Sequence, residues 1–320
     1  MGFFYPQWQK IIRIGVTTPP TTTGYQVKVE IPWQPGMRDD FADLRFSDYY
    51  RTLPYWIETS TTRVTATVWV KLTEINEASR ELFCYYGNGG ASSESNGENV
   101  FLFYDHFLGS AVDTNKWTIK QAGTISVANS IITVTGDLGW INTIAQTFGQ
   151  NTAVRSYAQL HKTTTSYGVG YDLANNSEFG FIRSDGGGLR RFLFKTGNIS
   201  GTAFSPDIDE NYHVWETKRN STGLTSTSDG TQVGTLAWTS TTSMGVSCIA
   251  ETGGHSYYDW IVVRTIQATE PTCTPAESGI NTAFYQALLR AKHVFDVATY
   301  PYTLAVSFVT DHMHLTWTEP

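Results

Sequence analysis

Acidic side chains come closest together in the stretch 207–210, which reads Asp-Ile-Asp-Glu. Two carboxylates placed near one substrate can serve as acid and base in the hydrolysis of a glycosidic bond. This stretch directly follows Pro206 and has the composition of a turn, so a solvated loop is favoured over a catalytic pair. The sequence contains no Gly-x-Ser-x-Gly nucleophile motif, no His-Glu-x-x-His zinc motif and no phosphate-binding glycine loop.

Histidine and cysteine are two further residue types that can bind metal ions. His312 and His314 alternate, so on a strand both imidazoles would reach one metal ion. Two imidazoles do not complete a metal site by themselves, which favours exposed histidines at an interface. Cys84, Cys248 and Cys273 show no zinc spacing, and buried thiols are favoured over one disulfide.

Composition predicts the fold class. The 320 residues include 10 Trp, 17 Tyr and 17 Phe, and only 16% are charged. Many aromatic and β-branched residues separated by turn residues predict an all-β protein. The net charge of −7 argues against a nucleic-acid partner, and no apolar run approaches the roughly 20 residues that span a bilayer.

Strand patterns divide the chain into three parts, 1–105, 106–266 and 267–320. In the first part, Tyr25 to Ile31 alternates strictly between apolar and polar residues, as a half-buried strand does. The second part repeats strand signals between Gly, Asn and Ser turns, and Asp229-Gly230 is a tight-turn pair. Central strands are predicted at Ile131 to Thr135, Val154 to His161, Tyr167 to Leu173, Glu178 to Arg183 and Arg191 to Lys195. The polar segment 87–99 is predicted to connect two β-sandwiches.

The polar segment 87–99 and several short segments on either side of it resemble known domain families. The segments are WQKIIRI at 8–14, ADLRF at 42–46, LPYWIE at 53–58, YYGN at 85–88, YDHF at 104–107, DTNKW at 113–117 and DWIVVR at 259–264. Together they resemble the uncharacterised domain DUF2341 followed by a concanavalin A-like lectin/glucanase sandwich of the laminin-G-like type. The resemblance implies two tandem β-sandwiches, the second a concanavalin A-like jelly roll.

The resemblance also bears on catalysis and on metal binding. Glucanases of this superfamily carry a Glu-x-Asp-x-Glu strand, which this sequence lacks, so the chain is predicted not to be an enzyme. In many laminin-G-like jelly rolls, aspartates near the first and last strands bind a structural calcium ion. Asp105 and Asp259 occupy these places here. The alternative is a hydrogen-bonding role at strand ends, favoured because His106 replaces a second aspartate. No other cofactor is expected.

Glycan binding by such a sandwich needs aromatic platforms and a few polar side chains. The candidates on the central strands are Trp140, Tyr167, Tyr171, Arg183 and Arg191. The alternative is that these aromatic residues belong to the sandwich core, as many do.

The third part is predicted to be a linker, a helix and a hairpin. Thr269 to Pro275 has linker composition, and Asn281 to Phe295 has an apolar stripe at helical spacing. The strands would be Tyr302 to Phe308 and His312 to Trp317. An apolar stripe and an apolar strand in so short a tail predict assembly with another copy or another protein. The residues proposed for this contact are Phe284, Leu288, Phe295, Leu304, Val306 and Phe308.

These observations lead to three functional hypotheses. The segment before Trp8 is too short for a secretory leader, which favours a virion component such as a tail, fibre or capsid-decorating protein. It would be a non-enzymatic adhesion protein that binds a host surface glycan, on the virion surface or outside the cell. The alternative is a secreted or cell-surface carbohydrate-binding module of a prokaryote. A glycoside hydrolase of the concanavalin A-like type is the third hypothesis.

Overall fold

The computed structural model describes residues 5, 7–74, 81–121, 123–135, 139–144, 146–161, 165–172, 179–185, 190–195, 199–200, 203–204, 209–250, 253–276, 280–281, 303–309 and 312–318. At 121, 165–168, 179–204 and 280–318, the description concerns the backbone alone. Within this part of the chain the fold is all-β, which confirms the predicted class. The described residues include no helix long and apolar enough to cross a membrane.

The first half of the chain contributes twelve strands. They are β1 Lys10–Thr17, β2 Tyr25–Pro32, β3 Arg45–Ser47, β4 Thr52–Leu53, β5 Tyr55–Thr61, β6 Thr65–Leu72, β7 Glu81–Tyr86, β8 Phe103–Asp105, β9 Trp117–Gln121, β10 Thr124–Ala128, β11 Ile131–Thr135 and β12 Gly139–Thr143. A turn of 3₁₀ helix covers Gly97–Asn99.

The second half contributes fifteen more described strands. They are β13 Thr152–Leu160, β14 Thr165–Asp172, β15 Phe179–Asp185, β16 Arg190–Lys195, β17 Ile199–Ser200, β18 Ala203–Phe204, β19 Tyr212–Arg219, β20 Gly223–Ser228, β21 Thr231–Ala237, β22 Gly245–Ala250, β23 His255–Thr265, β24 Thr272–Pro275, β25 Ile280–Asn281, β26 Thr303–Val309 and β27 His312–Thr318.

The chain forms two compact units. The first contains Met1–Asn96 together with Pro271–Pro320, and the second is the continuous segment Gly97–Glu270. The first unit has one sheet of order β24-β1-β7-β3-β4, with β25 also paired to β1, and a second sheet of order β2-β6-β5. Apolar residues of both sheets, such as Ile14 and Val29, are buried in one core, which makes this unit a sandwich. The second unit therefore interrupts the first in sequence.

The predicted linker at Thr269 to Pro275 is corrected by this topology. Its residues from Thr272 onward form β24, which pairs antiparallel with β1 in the register Val16↔Cys273. The Cys273 side chain packs against the first core, and burial raises the pKa of its thiol to about 12. All three cysteines are free thiols. Residues 272–275 and 280–281 thus extend the first sheet at β1.

Part of the predicted tail lies outside the described residues. These include the helix expected after Asn281 and the three residues Phe284, Leu288 and Phe295. The hairpin is present, with β26 and β27 antiparallel and Val306 opposite Leu315. Leu304, Val306 and Phe308 lie in β26, and their role in assembly remains a prediction.

The second unit is a sandwich of two larger sheets. One has the order β10-β11-β23-β13-β19-β20-β21, with β8 paired to β23, and is called here the terminal-strand sheet. The other has the order β17-β16-β15-β14-β22-β12-β9, with β18 paired to β16, and is called the middle sheet. Apolar side chains from both, such as Val154 and Cys248, share one core. The five central strands predicted from the sequence are present as β11, β13, β14, β15 and β16.

A buried ion pair in the terminal-strand sheet joins β23 to β19, the two strands on either side of β13. Arg264 in β23 donates two hydrogen bonds to Glu216 in β19, Nε–Oε2 at 2.9 Å and Nη2–Oε1 at 3.1 Å. Both residues are less than 5% exposed. Arg264 also donates to Glu270, and Arg155 Nη1 lies 3.6 Å from Glu216 Oε2. Such geometry satisfies a buried carboxylate on several sides.

Candidate functional site

The middle sheet carries a polar group on the face opposite its core. Ile141 of β12 is fully buried in the core, so its neighbours Trp140 and Asn142 lie on the other face. In β22, Ser247 alternates with the core residues around it. Asp172 ends β14 directly after a core residue. These four residues, Trp140, Asn142, Asp172 and Ser247, are called the polar network.

Ser247 lies at the centre of the polar network. Its hydroxyl donates to Asp172 Oδ2 at 3.0 Å, and it accepts from Trp140 Nε1 at 3.2 Å and from the Asn142 side-chain amide. One donated and two accepted bonds use the full capacity of a hydroxyl group. Asn142 Nδ2 also lies 3.4 Å from Asp172 Oδ2. A Cβ atom at Gly245 would lie 2.8 Å from Asn142 Oδ1, so a larger residue there would displace the Asn142 amide.

Burial differs within the polar network. Ser247, Asp172 and Asn142 are 0%, 1% and 3% exposed, whereas Trp140 is partly exposed. A buried carboxylate is tolerated when donors surround it, as they do here. The arrangement holds the indole of Trp140 through its N–H and leaves part of the ring accessible. The indole thus presents an apolar face whose polar edge is held in a fixed position.

The backbone register brings together four of the five predicted glycan-binding residues. Trp140 pairs with Ile249 of β22. Ile249 in turn lies opposite the irregular part of β14, between Ser166 and Val169, which contains Tyr167. Tyr167 pairs with Arg183, and Arg183 pairs with Arg191. These positions therefore form one row across five adjacent strands, called here the cross-strand row.

The fifth predicted residue, Tyr171, is corrected. Its side chain is fully buried in the core of the second unit, and its hydroxyl lies 3.0 Å from Thr152 Oγ1. Burial raises the pKa of this phenol, and the Arg219 guanidinium lies over the ring at 5.5 Å. Tyr171 is one residue before Asp172, so strand alternation turns it inward.

Asp105 and Asp259, the predicted calcium ligands, have protein partners. Asp105 is buried, with Oδ1 accepting from the Phe107 amide at 2.8 Å and Oδ2 accepting from Trp117 Nε1 at 2.6 Å. Asp259 Oδ1 lies 2.8 Å from His106 Nε2. Among the described residues, no group of three or more His, Cys, Asp or Glu side chains is arranged to hold a metal ion. Calcium binding stays a prediction.

We expect Asp105→Ala to lower the free energy of unfolding by about 2 kcal/mol, because it leaves the buried Trp117 indole N–H without its acceptor. Chemical denaturation with and without a calcium chelator measures this. If Asp105 and Asp259 share a cation, the chelator will also destabilise the unmodified protein, and Asp259→Ala will remove that sensitivity. A stability loss below about 0.5 kcal/mol in Asp105→Ala would contradict the hydrogen-bonding role.

Of the acidic stretch 207–210, Asp209 and Glu210 lie in the described part. Asp209 accepts from the Asn211 amide at 3.0 Å and contacts His213 Nε2 at 2.9 Å. These hydrogen bonds, that of Asn211 first, lower the pKa of Asp209 well below its usual range. Both carboxylates precede β19, outside the polar network. His312 and His314 alternate in β27, opposite Val309 and Ser307.

Three members of the polar network were not predicted as site residues from the sequence. Asn142, Asp172 and Ser247 lie in short strands and carry no motif. The available signal was alternation, since Asn142 follows a buried Ile141 and Asp172 follows a buried aromatic residue. Only the pairing of β12, β22 and β14 brings them together.

The chain is similar to one family of domains and to several solved structures. A model described as a domain of unknown function, DUF2341, matches residues 40–120. No curated protein matches. The DUF2341 part of the predicted resemblance is thus supported, with a match that ends inside the second unit.

Several solved structures are similar to about half of the chain. One comes from work on endo-acting O-glycanases of the human gut microbiota, with 12% identity, TM-score 0.45 and coverage of 52% of this chain and 100% of that chain. Another is the catalytic domain of an endo-1,3-β-glucanase (laminarinase) from Thermotoga petrophila RKU-1, with 11% identity, TM-score 0.43 and coverage of 52% and 98%. A third is porphyranase B from Zobellia galactanivorans, with 14% identity, TM-score 0.41 and coverage of 51% and 91%.

These comparisons correct the functional prediction. All three solved structures are described by names of glycan-cleaving enzymes, and none is described as a virion or adhesion protein. The prediction of a non-enzymatic surface protein, and with it the prediction that the chain is not an enzyme, is therefore not supported. At these identities no residue role is transferred to this chain.

Proposed function

We propose that the second unit binds a glycan on the face of its middle sheet that carries the polar network, called here the polar face, and hydrolyses a glycosidic bond there. The observation that carries the proposal is the partly exposed indole of Trp140, fixed through Ser247 to the buried carboxylate of Asp172. Aromatic faces pack against sugar rings. In the polar network the partly exposed ring of Trp140 supplies such a face, and the buried amide, hydroxyl and carboxylate groups hold it in place.

Hydrolysis places specific demands on this face. A glycosidase uses two carboxyl groups on opposite sides of the scissile bond, and their separation decides between inversion and retention. Asp172 is the carboxylate of the polar network, and its burial makes it a positioning residue that orients Ser247 and the Trp140 indole.

We expect Trp140→Ala to weaken glycan binding at least tenfold, which corresponds to about 1.4 kcal/mol. The control is Tyr171→Phe, which changes a core residue and should leave affinity within about twofold. Affinity for a panel of soluble polysaccharides, measured by calorimetry, tests this. If Trp140→Ala binds as tightly as the unmodified protein, the polar face is not the glycan site.

The reaction is tested separately on the same polysaccharides by the release of reducing ends. The expected result is turnover by the unmodified protein and a loss of at least about tenfold in Asp172→Asn, which disturbs the acceptor of the Ser247 hydroxyl. Circular dichroism and thermal unfolding of the variant show whether it folds. If the protein binds the polysaccharides without cleaving them, the proposed glycan site stands and the proposed hydrolysis is wrong.

A further inference from the structure

The cross-strand row contains two arginines in direct opposition. Arg183 of β15 pairs with Arg191 of β16, and Arg183 pairs on its other side with Tyr167 of β14. The same row continues through β22 to Trp140. Two arginine positions and two aromatic positions therefore share a single row of the backbone register across the middle sheet.

The chemistry of this placement points to a charged ligand. A guanidinium group is permanently charged and matches a carboxylate or sulfate with two parallel hydrogen bonds. Recognition of neutral sugar hydroxyls does not require positive charge. The chain as a whole is acidic, with 29 Asp and Glu against 22 Lys and Arg. In this acidic chain, β15 and β16 place two arginines at directly paired positions.

We infer that the glycan is an anionic polysaccharide, one that carries carboxylate or sulfate groups. This inference rests on the proposed function, because it concerns the ligand of the same face. The sugar ring packs at Trp140, and an acidic substituent of the same chain lies at the arginine pair. Neighbouring strands are about 4.8 Å apart, so β12 and β16, four spacings apart, are separated by about 19 Å. An oligosaccharide of several units spans this length.

The test compares matched pairs of polymers that differ only in charge. Suitable pairs are polygalacturonate with its methyl ester, and a sulfated galactan with the same galactan after desulfation. We expect the unmodified protein to bind the charged member of one pair at least tenfold more tightly. Binding should also weaken as sodium chloride is raised, because salt screens exposed charges.

Single substitutions locate the effect in the row. Arg183→Gln and Arg191→Gln should each lower affinity for the charged polymer about tenfold, the loss expected when a hydrogen bond to a charged group is removed. The control is Arg190→Gln, one position along β16 and paired with Ser184, which should change affinity less than about twofold. Like charges directly opposite each other disfavour pairing, so neutral glutamine should not weaken the sheet.

The outcomes separate this inference from the proposed function. If the neutral polymer binds as well as the charged one, and Trp140→Ala weakens both, the glycan site stands and the anionic inference fails. If all three arginine variants lose affinity equally, binding is nonspecific and the inference also fails. If neither member of any pair binds, both the inference and the proposed function fail.

Discussion

Glu216→Gln should lower the free energy of unfolding of the second unit by about 3 kcal/mol, because it leaves the buried guanidinium of Arg264 facing a neutral amide. Arg264 donates two hydrogen bonds to Glu216 and is 3% exposed. Chemical denaturation at neutral pH, with hydrogen exchange followed in β19 and β23, measures the loss in this unit. The matched control is Glu270→Gln, which contacts the same arginine from a side chain that is 32% exposed. Its loss should be about 1 kcal/mol or less.

The same pair gives a pH dependence of known sign. Burial alone would raise the pKa of Glu216, but the charges of Arg264 and Arg155 outweigh it and lower the pKa to about 2. A carboxyl with a depressed folded pKa contributes stability above its unfolded pKa of about 4.3 and loses it as pH falls toward the folded value. Stability should therefore drop between about pH 4.5 and pH 2, and less so in Glu216→Gln. Equal acid sensitivity of both proteins would contradict this assignment.

Truncation after Glu270 should destabilise the first unit by roughly 3 kcal/mol or more, as several backbone hydrogen bonds of about 1 kcal/mol each are lost with β24 and β25. The two strands pair with β1 over six residues, from Lys10↔Asn281 to Thr17↔Thr272. Removing them exposes one edge of β1 and the core packing of Cys273. Hydrogen exchange in β1 and β7 would report the change in this unit.

Truncation after Asn281 is the matched control, since it keeps β24 and β25 and removes the hairpin. The difference in stability between the two truncated proteins isolates the contribution of the two strands. Equal protection of β1 in both would show that the strands contribute little. The oligomeric state of the protein truncated after Asn281 also tests whether the hairpin residues Leu304, Val306 and Phe308 take part in assembly.

Local patterns predicted much of the fold because their physical causes are local. Strict alternation over Tyr25 to Ile31 is observed as β2, with all four apolar residues buried. Asp229 and Gly230 both adopt positive φ in the turn between β20 and β21, as an Asp-Gly pair favours. These features depend on a few neighbouring residues, so the sequence contains enough information to assign them.

The polar network and the ends of the first sheet depend on distant residues. Trp140 and Ser247 are 107 positions apart, and Ser247 and Asp172 are 75 apart. The strand order that joins them cannot be obtained from periodicity. Thr272 to Pro275 has the composition of a linker, yet an unpaired edge of β1 takes it into a sheet. Tertiary pairing overrides local propensity in such short segments.

The long interval between β1 and β24 has a consequence for synthesis on the ribosome. Thr17 and Thr272, which are hydrogen-bonded in the finished sheet, are separated by 255 positions. At about 5 to 20 residues per second, β24 is synthesised on the order of ten to fifty seconds after β1. The second unit is continuous, so all of its strands emerge during this wait. It can complete its fold first, while the nascent first unit has an open sheet edge that chaperones or other chains can reach.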